Sequence, residues 1–69
     1  MGLFSQIAML RDIPEEDLAR GQIGTIVEVL SPTACIAEFL DEQGDTVAIR
    51  TLRTDDFMLL HHPAVVKVA

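Results

Sequence analysis

The stretch Arg20-Gly21-Gln22-Ile23-Gly24-Thr25-Ile26-Val27-Glu28-Val29 decides the fold of this chain. Two glycines three positions apart lead into a run rich in β-branched residues, which suits a pleated strand. Gly21 is read as the φ > 0 residue that ends a loop. Gly24 stands at the start of the strand, where a side chain would meet a neighbouring backbone or where the strand bulges. The strand is expected over Ile23–Leu30 and is closed by the turn Ser31-Pro32.

Working outward, an earlier strand is expected over Phe4–Arg11, with Ile7, Met9 and Arg11 on one face and Ala8 and Leu10 on the other. Asp12-Ile13-Pro14-Glu15-Glu16-Asp17 interrupts it, because Pro14 cannot donate to a ladder. Asp12 is placed to cap a single helical turn there, with Pro14 and the acids in its first positions. Leu18 is expected to tuck under the sheet. Downstream, Thr33–Leu40 alternates, and Glu38 sends its own set (Ala34, Ile36, Leu40) outward, which leaves Cys35, Ala37 and Phe39 for the core. Asp41-Glu42-Gln43-Gly44-Asp45 reads as a hairpin loop in which Gly44 supplies the left-handed residue. Thr46–Leu52 follows, with Val47 and Ile49 facing one way and Arg50 the other. Thr54-Asp55-Asp56 is a capping sequence that returns Phe57 to the core, and Met58–Leu60 forms a short last strand.

Turn signals at roughly ten-residue spacing make this an all-β chain. Five strands with one short helical turn before the last resemble a small SH3-like barrel, expected over residues 1–60. Residues 61–69 form an extended tail. Its run Ala64-Val65-Val66-Lys67-Val68 has no place in a five-stranded barrel and reads either as a frayed end or as an extra strand that pairs with an edge of its own sheet or of a neighbouring subunit.

A chain of 69 residues is one domain with a thin core, near the lower limit of independent stability. Its single cysteine, Cys35, excludes an internal disulfide and a thiolate zinc site, so packing or self-association must supply the remaining stability. Apolar residues make up 49% of the chain, yet Tyr and Trp are absent. Such a surplus of Leu, Ile, Val, Ala and Met exceeds what the interior holds, and the excess points to a dry contact between copies. Ile36 and Leu40, outward beside Glu38, are the candidate contact positions, with Val65, Val66 and Val68 of the tail. A net charge of −6 argues against wrapping a phosphate backbone and against an anionic membrane surface. It is compatible with a basic protein partner. No run approaches the length of a membrane span, no basic leader precedes an apolar run, and a lone cysteine fits a reducing cytoplasm.

Candidate chemistry is thin. His61-His62 would point apart on an extended chain and do not form a ligand pair. Cys35 lies mid-strand among Ala34, Ile36 and Ala37 and reads as a small core hydrophobe, not as a nucleophile. The acids Glu15, Glu16 and Asp17, and Asp41, Glu42 and Asp45, lack the spacing of a calcium loop. Thr51 and Thr54 have no base nearby. Arg50 and Arg53 are expected to pair with Glu28 or Glu38 across strands. No catalytic, cofactor or metal residue is assigned, and the chain reads as a non-enzyme.

Two family patterns are present. Gly21-x-x-Gly24-x-Ile26-x-x-Val29 resembles the opening of the KOW motif, which implies an RNA- or ribosome-associated module. A longer pattern comprises Asp12-Ile13-Pro14-Glu15-Glu16, Leu18, Arg20-Gly21, Gly24-Thr25-Ile26-Val27-Glu28-Val29, Glu38-Phe39-Leu40-Asp41, Gly44-Asp45-Thr46 and Thr51-Leu52 with Asp55-Asp56. Over Phe4–Leu60 it resembles a small bacterial family catalogued as domain of unknown function 4926. That resemblance implies a compact β-barrel and, from toxin-like genes beside some members, an antitoxin or immunity role. The chain departs from it at Cys35, where members often carry an aromatic residue.

Overall fold

The computed structural model describes residues 1–60. Strands β1 (Gln6–Met9), β2 (Ile23–Ser31), β3 (Ala34–Leu40), β4 (Thr46–Arg53) and β5 (Phe57–Leu59) form one antiparallel sheet in the spatial order β4-β3-β2-β1-β5. One 3₁₀ turn, Pro14–Glu16, lies between β1 and β2, and another, Thr54–Asp56, leads into β5. The fold is all-β and barrel-like, as the alternation predicts.

The core explains why the sheet curls. Ala48 and Leu52 come from β4, at one edge, and Phe57 comes from β5, at the other. All three join the buried cluster with Ile7, Met9, Ile26, Cys35, Ala37 and Phe39. A flat sheet could not bring both edges to one core. Two register shifts in β2, between Ile26 and Glu28 and between Val29 and Ser31, supply the bend. An extra residue in one strand sharpens its twist. Each fully buried Leu, Ile, Met or Phe contributes about 1.5–3 kcal/mol, so this short list carries much of the folding free energy.

Cys35, Ala37 and Phe39 are fully buried, as Glu38 indicated. Gly24 explains how Phe39 fits. A Cβ at Gly24 would lie 2.7 Å from the Phe39 ring and 3.1 Å from the Glu38 carbonyl oxygen. The glycine therefore leaves room for the ring; it is neither a turn nor a bulge residue. Gly21 and Gly44 do take left-handed backbone, with φ of 87° and 88°.

Among the described residues, β4 and β5 share no ladder, and the segment between β1 and β2 closes the seam. Its Ile13 and Leu18 are buried and exchange backbone bonds at 2.9 and 3.1 Å. On one side Leu10 N–H donates to the Asp56 carbonyl at 2.9 Å. On the other, Arg50 Nε reaches both the Glu16 carboxylate and the Glu16 carbonyl at 3.0 Å.

Several boundaries and partners differ from expectation. β1 starts at Gln6, not Phe4, because Phe4 has φ of 64° and leaves the extended region. It ends at Met9, not Arg11, because the chain turns toward Asp56. Asp12 does not cap the first 3₁₀ turn, whose cap position is Ile13; its carboxylate accepts the Arg20 N–H at 2.8 Å instead. β5 begins at Phe57, not Met58. Arg50 pairs with Glu16 and not with Glu28 or Glu38, because it lies on the Ala48–Leu52 side of β4, away from those outward carboxylates. The expected tail strand, with Val65, Val66 and Val68, and the pair His61-His62 lie outside the described residues.

Candidate functional site

The outward face of β3 and β4 is built by register. Ile49 pairs with Glu38, and Ile36 and Leu40 flank Glu38 two residues to either side. Ile49 is therefore the diagonal neighbour of both, within reach of side-chain contact. Leu40 pairs with Thr46, and the register shift beside it leaves Val47 as the extra residue. Thr46 Oγ1 donates to Glu38 Oε2 at 2.6 Å, which fixes the carboxylate among these aliphatic neighbours. Leu40, Val47 and Ile49 are 49%, 54% and 55% exposed. Ile36 is half-buried between Glu28 and Thr51.

The structure thus brings the two predicted contact positions, Ile36 and Leu40, onto one face. It adds Val47 and Ile49, which sequence reading set together without assigning them outward. Ile23, Met58 and Leu10 are also about half exposed. Val29 and Leu30 line an open recess of about 450 Å³ with Met1, Ser31 and Pro32 at the β2–β3 end.

The reactive candidates occupy other settings. Cys35 is fully buried, and burial pushes its thiol pKa up, away from the reactive thiolate. Asp41 Oδ1 accepts the Gln43 and Asp45 N–H groups, both at 2.9 Å, so this acid shapes its own hairpin loop. Among the described residues, no three His, Cys, Asp or Glu side chains are grouped to hold a metal ion. No helix there is long and apolar enough to cross a membrane.

Asp56 is the one buried charged residue among those described. Its Oδ1 accepts Arg11 Nε at 3.0 Å and Nη2 at 2.8 Å, and its Oδ2 accepts the Arg53 N–H at 2.9 Å. Burial alone would raise its pKa, but the backbone bond from Arg53 and the Arg11 guanidinium outweigh that and hold it below the usual carboxylate range. Every polar atom of this carboxylate is engaged in holding the 3₁₀ turn and the β1 exit, so it is a structural group.

The family model described as a domain of unknown function (DUF4926) matches residues 3–59. The chain belongs to the DUF4926 family. The match covers the whole sheet, from before β1 to the last residue of β5. No curated protein and no solved structure matches the chain. For this DUF4926 member the family brings no activity and no site residues, and the outward face must be read on its own chemistry.

Proposed function

We propose that this chain is a non-enzymatic interaction module that associates with itself through apolar outer strand positions and the apolar run of residues 64–68. The observation that carries this reading is the exposure of Leu40, Val47 and Ile49 on one sheet face around Glu38. Half-exposed aliphatic side chains gathered on a strand face favour contact with another surface. Ile36 lies beside them, and the core is already filled by other residues. The absence of Tyr and Trp, and a charge of −6, favour a protein surface over a nucleic-acid backbone as the partner. The non-enzymatic part draws support from Cys35, whose buried thiol is withdrawn from solvent.

Size-exclusion chromatography with light scattering tests the reading. The intact chain is expected to run heavier than a monomer, and a chain truncated after His62 to shift toward the monomer. Monomeric behaviour of both would overturn self-association.

A further inference from the structure

The second half of β2 has a strand on one side only. Its register with β1 ends at Thr25 opposite Gln6, and one step further Ile26 still bonds Phe4 and Ser5 through the backbone. Phe4 has left-handed backbone, so the segment before it leaves that line. From Val27 to Ser31, no described residue forms a ladder with β2 on the β1 side, while β3 continues on the other. Glu28, Val29 and Leu30 of this half are exposed. Val29 and Leu30, with Ser31 and Pro32, line the recess at this end, and Met1 is its one lining residue from elsewhere. None of the five has an ionisable side chain.

We infer that this recess and the open edge beside it are the seat of the chain's own run 64–68, laid along β2 within a single copy. The point of departure favours it. Leu59 pairs with Ile7, and Leu60 N–H donates to the Gln6 carbonyl at 2.9 Å, which sets Leu60 level with Thr25. Strand β1 is antiparallel to both β2 and β5, so the chain leaves Leu60 in the direction of β2. Thr25 to Val29 is four residues, about 13 Å of strand. Moving from the β5 line to the β1 line adds one strand spacing sideways, about 4.8 Å. An extended chain gains about 3.3–3.6 Å per residue, so residues 61–64 span the way to Val29 and residues 65–68 fall beside Leu30 and Pro32. The run also matches the seat chemically. Its three valines favour an extended strand. Alternation along such a strand turns Val66 and Val68 to one side and Lys67 to the other. A strand laid there pairs the open backbone groups of the edge. Charge agrees: residues 1–60 hold eleven acids and four arginines, a balance of −7, and the chain's one lysine, Lys67, is in the run. The short link His61-His62-Pro63 holds the run near its own seat, without the loss of freedom that joining two chains entails. The inference goes beyond the self-association reading, because it holds for a single copy. The same run serves association by exchange into the identical recess of a second copy.

Disulfide trapping on the full chain tests this. Leu30→Cys/Val66→Cys is expected to close an internal bridge under mild oxidation at least about tenfold faster than Gln43→Cys/Val66→Cys, because a bridge forms only between closely held positions. Gln43 lies in the loop at the opposite end of β3 from the recess, and Cys35 stays buried. The bridged product should have the mass of one chain, and its fraction should not change on dilution. Truncation after His62 gives a second readout that adds no cysteine. The backbone amide resonances of Val29 to Ser31 are expected to move in the truncated chain, and those of residues 43–45 to stay. Equal bridging of the two pairs, or unmoved Val29 to Ser31 resonances, would overturn the seat. Bridging only between copies would also overturn it, while leaving self-association standing. An internally bridged chain that is monomeric at every concentration would uphold the seat and remove the self-association reading.

Discussion

Arg11 and Asp56 meet across forty-five positions of the chain, with both Arg11 Nε and Nη2 on Asp56 Oδ1. The pair joins the exit of β1 to the turn that launches β5, on the edge that no ladder ties to β4. Its partners are unequal. The Arg11 side chain is 61% exposed and that of Asp56 only 8%, so water screens one and not the other.

That asymmetry sets the cost of removing each. Asp56→Ala leaves the Arg53 N–H without its acceptor and frees the turn, at a cost of about 1–3 kcal/mol. Arg11→Ala costs about 1 kcal/mol or less, since a largely exposed partner is replaced by water. Urea unfolding of the two variants checks the order, and an equal or reversed cost would contradict this assignment.

The same carboxylate makes stability depend on pH. Its folded-state pKa is depressed below the unfolded value of about 3.9. The stabilisation is thus fully present above that value and is lost as pH falls through the folded-state pKa. Asp56→Asn should flatten the acid limb of a plot of melting temperature against pH. An unchanged limb would assign acid sensitivity to other carboxylates.

Gly24→Ala is expected to destabilise the fold by about 1–3 kcal/mol, because the added methyl enters the space of the Phe39 ring and the ring is fully enclosed. In a Phe39→Leu background the same change should cost less. A double-mutant cycle on thermal or urea unfolding reads the coupling, and simple additivity would place the glycine's role elsewhere.

Cys35 should react with an aromatic disulfide reagent only on unfolding, because the thiol is both fully enclosed and held protonated. A stopped-flow titration in native buffer against one in denaturant measures the difference. Rapid native labelling would mean that β3 opens locally.

Much of the sheet was legible because alternation and punctuation agreed. In β3 the single carboxylate Glu38 fixed which residues faced inward. Gly21, Gly44 and the Thr54-Asp55-Asp56 turn marked their own places. β4 was harder to read: both of its faces carry apolar residues, so composition alone could not choose between Val47 with Ile49 and Ala48 with Leu52. Register decided it, by setting Ala48 against Phe39 and Leu52 against Cys35. The Arg11–Asp56 and Arg50–Glu16 pairs were not legible, since each joins segments that only the curled sheet brings together.

The pairing of β1 with β5 also bears on how the chain reaches this state. β2, β3 and β4 are linked by adjacent hairpins, which close at small entropic cost, whereas setting Ile7 against Leu59 closes a loop of nearly the whole described chain. The meander is therefore expected to organise first and the β1–β5 ladder last, so that substitutions at Met9 and Phe57 accelerate unfolding while those in β3 slow folding. The seam residues then act on the lifetime of the folded chain and have little influence on how quickly it forms.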